Sequence, residues 1–128
     1  MLNYFSDNKD LEFTLRNLDL AEVTKMREAN YTKSEKFDNA PVDYADALDN
    51  FQRALKVVGE IAGDRIAPRS REVDACGAQF ADGKVTYHPL TVKNLDELTK
   101  AGIMGVMLDH EYGGLNFPVS VYTMMTEL

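Results

Sequence analysis

The feature that most limits what this chain can fold into is a stripe of apolar side chains, Tyr44, Leu48, Phe51, Leu55, Val58 and Ala62, with alternating steps of four and three residues. Such steps keep side chains on one face of an α-helix, whereas a strand would need steps of two. A helix with one oily face has to bury it, so other elements must lie against the stripe. Asp43 stands where its carboxylate can accept from the free amides of the first turn, and Asp46 adds negative charge at the positive helix end. Pro68 has no amide hydrogen to donate, so the helix should end or kink near Ala67. Gly59 and Gly63 lie inside it at up to about 1 kcal/mol each relative to alanine, a cost that close helix packing would explain.

A second helix is expected from about Thr91 to Ala101, with Val92, Leu95 and Leu98 inward and Lys93, Asp96, Glu97 and Lys100 outward. Thr91 is its candidate cap, and Gly102 falls where a left-handed residue commonly ends a helix. Since neither this helix nor the Tyr44 to Ala62 stripe can bury its oily side alone, the two should pack on each other. Between them, Asp82-Gly83 separates short flanks within Phe80 to Tyr87, which predicts a small β-turn or hairpin. Tyr112-Gly113-Gly114 marks a sharp loop, and Pro118 suits the first turn of a third helix. At the other end, Leu11, Leu15 and Leu18 fit a short helix capped by Asp10, while residues 24 to 40 are polar, carry little period and read as loosely attached. The chain therefore divides into an N-terminal arm with a short helix (1–40) and a helical domain (41–128), all-α apart from the small β insert.

Charge and cysteine usage narrow the function. With 14 Lys and Arg against 21 Asp and Glu, the 128 residues carry a net charge of −7. A phosphate-neutralising nucleic-acid binder or a surface for anionic lipid needs the opposite balance. Cys76 stands alone, so no intrachain disulfide and no Cys-x-x-Cys pair can form. The stretch Met1 to Asn8 lacks the basic and apolar segments of a signal peptide, and no run reaches the ~18 to 20 apolar residues of a membrane span. A cytoplasmic protein is expected.

No familiar catalytic motif is present: there is no Gly-x-Ser-x-Gly elbow, no Gly-x-x-x-x-Gly-Lys loop and no Gly-x-Gly-x-x-Gly turn. Asp109-His110-Glu111 sets three potential metal ligands in a row, but neighbours on a turn diverge and a second histidine four residues on is missing, so no metal site is expected. His88 reads as a loop histidine and Cys76 as an inert, partly buried thiol. Met104, Met107, Met124 and Met125 read as core fillers, or as the lining of an adaptable apolar pocket. Asp7, Asp10, Glu12 and Asp19 form a solvated face.

The run from Leu98 to Pro118, Leu-Thr-Lys-Ala-Gly-Ile-Met-Gly-Val-Met-Leu-Asp-His-Glu-Tyr-Gly-Gly-Leu-Asn-Phe-Pro, resembles the N-terminal helical domain of the acyl-CoA dehydrogenase family, with Thr126-Glu127-Leu128 similar to a segment of the helix that follows. Asn3 to Phe13 and the Gly77 to Val85 insert resemble a longer subgroup that includes 3-methylmercaptopropionyl-CoA dehydrogenases. The resemblance implies an oxidoreductase of fatty-acid metabolism in which a helical domain, a flavin-holding β-domain and a C-terminal bundle together dehydrogenate an acyl-CoA thioester across its α,β bond. The 128 residues would then be an N-terminal fragment, inactive alone and without FAD, with no catalytic, flavin-binding or metal residue of its own. Its partners would be the flavin and C-terminal domains, the acyl-CoA and, as in dimeric and tetrameric family members, further copies. Met124 and Met125 become candidates for the substrate side, and Tyr112, Gly113 and Gly114 for shaping the loop. From another class, a stand-alone interaction module that binds a partner through the exposed faces of the Asp43 to Ala67 helix also fits an acidic, striped chain.

Overall fold

The computed structural model describes residues 2–128, which fold into helices and one two-stranded hairpin. In order these are α1 (Lys9–Asn17), α2 (Ala21–Arg27), a 3-10 turn (Thr32–Glu35), α3 (Tyr44–Glu60), a π-helical stretch (Ile61–Ile66), α4 (Ala67–Cys76), β1 (Gln79–Ala81), β2 (Lys84–Thr86), α5 (Pro89–Lys100), a second 3-10 turn (His110–Tyr112) and α6 (Val119–Glu127). No helix among the described residues is long and apolar enough to cross a membrane.

α3 is the central element. Asp43 caps it, its Oδ1 accepting from the Asp46 amide at 2.9 Å. Phe51, Leu55 and Val58 are buried on the expected stripe, with Ala47 beside them. They close on Phe5, Leu11, Leu15, Leu20, Val106, Phe117, Val121, Met124 and Met125. The Phe51 and Phe117 rings meet edge to face, 4.7 Å between centroids, a favoured aromatic geometry.

The expected pairing of α3 with the second helix does not form the core. α3 packs against α2 and α6, and α5 lies instead on α4 and the π-helical stretch. No residue of α5 is buried, and Val92 and Leu95 are 54% and 45% exposed. The reason is competition, since the N-terminal segment, α1, α2 and α6 already fill the α3 face. α5 is held by charge instead: the Arg69 guanidinium donates to Asn94 Oδ1 at 2.7 Å and to Glu97 Oε1 at 3.0 Å. Its cap is His88 rather than Thr91, with Nδ1 accepting from the Leu90 amide at 3.3 Å. Pro89 then opens the helix, where its missing donor is harmless. His88 is therefore a capping residue and not a plain loop histidine.

The break forced by Pro68 also takes an unexpected form. The α-helical pattern stops at Glu60, and six residues of π-helix carry the rod to Ala67, whose amide bonds back to Ala62. A wider turn relieves the clash between a proline ring and the carbonyl four residues earlier. Gly59 and Gly63 do serve a close approach, but of the N-terminal segment and not of a helix. A Cβ on Gly59 would sit 2.6 Å from the Phe5 amide nitrogen, and one on Gly63 would sit 2.6 Å from the Leu2 carbonyl oxygen. Tyr4 donates to the Gly59 carbonyl, and Asn3 Nδ2 to the Lys56 carbonyl, pinning the segment along α3.

Residues 2–40 are likewise docked rather than loose. Asn8, not Asp10, caps α1 by accepting from the Asp10 and Leu11 amides. Leu11 and Leu15 are buried, while Leu18 lies outside the core at 39% exposure. Thr24, Glu28 and Ala40 are buried despite the polar composition around them. The hairpin matches the Asp82-Gly83 expectation, pairing Phe80 with Val85 across a two-residue turn in which both residues have positive φ. Every residue of its strands is exposed.

Candidate functional site

The segment between α5 and α6 brings together most of the residues singled out in the sequence. Gly102, at φ +74°, ends α5, and the chain then folds back on itself. The Asn116 amide donates to the Leu108 carbonyl at 2.8 Å and the Phe117 amide to the Val106 carbonyl at 3.0 Å. Gly113 and Gly114 shape the corner for different reasons. Gly113 has φ +78°, whereas a Cβ on Gly114 would fall 2.0 Å from the Leu108 carbonyl oxygen, so the second glycine answers to space and the first to backbone angle. Tyr112, the last residue of the 3-10 turn before them, is 73% exposed.

Asp109, His110 and Glu111 diverge, as the sequence implies, and among the described residues no group of three metal-ligating side chains assembles. Glu111 points to solvent. Asp109 pairs with Lys33, and this hydrogen bond, with a second from the Glu111 amide, holds its carboxyl below the usual carboxylate range. His110 turns inward, its side chain fully covered, with Nε2 3.2 and 3.1 Å from the two oxygens of Glu28. Asn116 Nδ2 donates to Glu28 Oε1 at 2.8 Å and to the Arg27 carbonyl at 2.9 Å. Arg27 answers with three bonds, to the carbonyls of Asn116 and Met107 and to Asn116 Oδ1. Phe37 stacks on the imidazole at 5.7 Å.

A buried carboxylate is tolerable only when donors surround it, and here Glu28 has two side-chain partners. The network lashes the Glu-Tyr-Gly-Gly corner to the C-terminal end of α2. Glu28, Arg27 and Asn116 carry no sequence signal: they lie in aperiodic stretches and become partners only through a fold-back of 88 or 89 residues. The one faint cue is Asn116, at φ +56°, since asparagine tolerates left-handed backbone.

Met124 and Met125 are both buried in the core, at 5% and 6% exposure. Met125 also reaches a shallow apolar groove of about 410 Å³, shared with Tyr4, Val58, Ile66, Leu98 and Leu128. Met104 and Met107 are exposed and are not core fillers. Cys76, expected to be partly buried, is exposed at the end of α4. α4 buries none of its residues and stops at Gly77, which leaves the thiol no cover. No known protein family, curated protein or solved structure matches the chain.

Proposed function

We propose that the chain is the N-terminal helical domain of an FAD-dependent acyl-CoA dehydrogenase and forms one wall of the cleft that holds flavin and acyl-CoA. The observation that carries the reading is the run from Leu98 to Pro118. There a helix stop, an apolar turn, a Glu-Tyr-Gly-Gly corner and a proline-led helix follow in the order that resembles that family. Two further features support it. The outer face of α5 and the groove beside Met125 are left uncovered by the described residues, as a domain completing its burial against neighbouring domains would leave them. A cytoplasmic setting goes with the reading and is supported by the single cysteine.

The groove beside Met125 does not fit FAD by itself. The groove contains no Lys or Arg to meet a pyrophosphate, and Gly114 is filled by the Leu108 carbonyl. No catalytic step is therefore assigned to this chain. Its contribution is to exclude water and to fix the direction of α6, with Met125 the residue nearest to an acyl chain's environment. The interaction-module reading keeps the exposed face of α3, with Asp49, Arg53, Lys56 and Val57, although the apolar stripe itself is spent on the chain's own core. It retains the exposed Phe80, Val85, Val92 and Leu95.

The test is to express the reading frame through and beyond Leu128. A yellow product with flavin absorbance that reduces a dye when given acyl-CoA thioesters is expected. A frame without a β-rich flavin segment, or a colourless and inactive product, would sink the reading and leave the interaction module.

A further inference from the structure

Between α2 and the first 3-10 turn the backbone does something costly. Ala29, Asn30 and Tyr31 have φ of +49°, +57° and +65° in succession. L-residues adopt the left-handed region reluctantly and as single residues, and only asparagine among these three is suited to it. The turn is stitched locally: the Asn30 amide bonds to the Lys25 carbonyl, and the hydroxyls of Thr32 and Ser34 donate to the carbonyls of Ala29 and Tyr31. Those bonds belong to the turn itself and do not explain why it persists.

What holds it are anchors on both sides. At the start, Glu28 is bound by His110 and Asn116. Past the turn, Lys33 pairs with Asp109 and Phe37 stacks on His110. All of these partners belong to the corner between α5 and α6. A cleft of about 610 Å³, lined by Ala29, Lys33, Phe37, Asp109 and Glu111 among others, runs along the seam between the two segments. Strain of this kind survives only where surrounding contacts over-determine it, and here the long-range side-chain hydrogen bonds and the ion pair to the strap come from one neighbouring segment.

We propose that residues 28–37 are a spring-loaded strap with two states: the closed one, clamped on the 109–114 corner, and an open one in which the left-handed turn relaxes and strap and corner part together. The clamp includes a partly exposed ion pair, and the lowered carboxyl of Asp109 is consistent with a contact that forms in the closed state. Opening uncovers the Glu28 and His110 pair, which the closed state hides completely. Because these anchors are shared, opening of the strap loosens the corner with it.

Native-state hydrogen exchange on the 128-residue chain tests this, reading Asn30 and Phe37 in the strap, Gly113 and Gly114 in the corner, and Leu55 as a core reference. Ala29→Gly removes strain from the closed state only, so it should slow exchange in strap and corner by roughly threefold, although glycine ordinarily loosens a chain. Lys33→Met should speed exchange in both segments by a common factor while Leu55 stays unchanged. The double variant should return toward the parent rates. Unchanged or faster exchange in Ala29→Gly would overturn the stored strain. Acceleration of the strap without the corner in Lys33→Met would overturn the coupling. If Lys33→Met also speeds Leu55, the clamp is part of global stability and no separate open state exists, which refutes the proposal as well.

Discussion

α3 and α5 are written in the same way and used in opposite ways. Each begins with a side-chain cap and carries apolar residues at helical spacing. Yet α3 buries Phe51 and Leu55 almost completely, whereas α5 buries nothing and is tied down through Arg69 and Glu97. Periodicity is a property of a helix alone. Which helix occupies the centre depends on what else the chain offers to cover it, and here the N-terminal segment, α1, α2, the α5–α6 connection and α6 cover α3.

That contrast can be broken by substitution. The largest effect is expected at Leu55, fully buried on α3, where alanine should cost about 2 to 5 kcal/mol in a denaturant melt. An unchanged midpoint would mean that the stripe is not sealed. Next comes the α5 clamp: Arg69→Met removes the hydrogen bond to the largely covered Glu97 carboxylate, leaving it only Arg65 at 3.7 Å, and should cost about 1.5 to 3 kcal/mol, appearing as early loss of α5 signals in NMR. If α5 amides keep their protection, apolar contact and not charge holds the helix. Loss of the caps should separate the helices more finely. Asp43→Ala should lower global stability by about 0.5 to 2 kcal/mol, while His88→Ala should fray only the first turn of α5. Equal global losses would show that the two helices belong to one cooperative unit. Smallest of all, Leu95→Ser should change stability by less than about 0.5 kcal/mol, as for most exposed positions. A larger loss would reveal that the outer face of α5 is covered in solution.

Legibility in the sequence followed the range of the interactions. Local signals were readable: the Asp43 cap, the α3 stripe, the Asp82-Gly83 turn and the Gly102 stop all depend on residues within a few positions of one another. The choice of Asp10 over Asn8 as a cap failed by two residues, because both side chains can accept at a helix start and only the backbone angle of the cap decides. The buried network was unreadable, because Glu28 looks like any solvated glutamate until Asn116 and His110 arrive from the far end of the chain. The corner was half legible. Two adjacent glycines announced a turn, but nothing in the sequence showed that Gly114 yields space to a carbonyl while Gly113 yields an angle.

The π-helical stretch Ile61–Ile66 acts as an angular setting on a shaft. Upstream, α3 aims its stripe at α6 and α2; downstream, Arg69 aims at Glu97. An α-helix advances about 100° per residue, so removing one residue from the stretch would turn α4, the hairpin and α5 by that angle while the core side kept its phase. The molecule thus has a built-in dial between the half that holds it together and the half that faces outward.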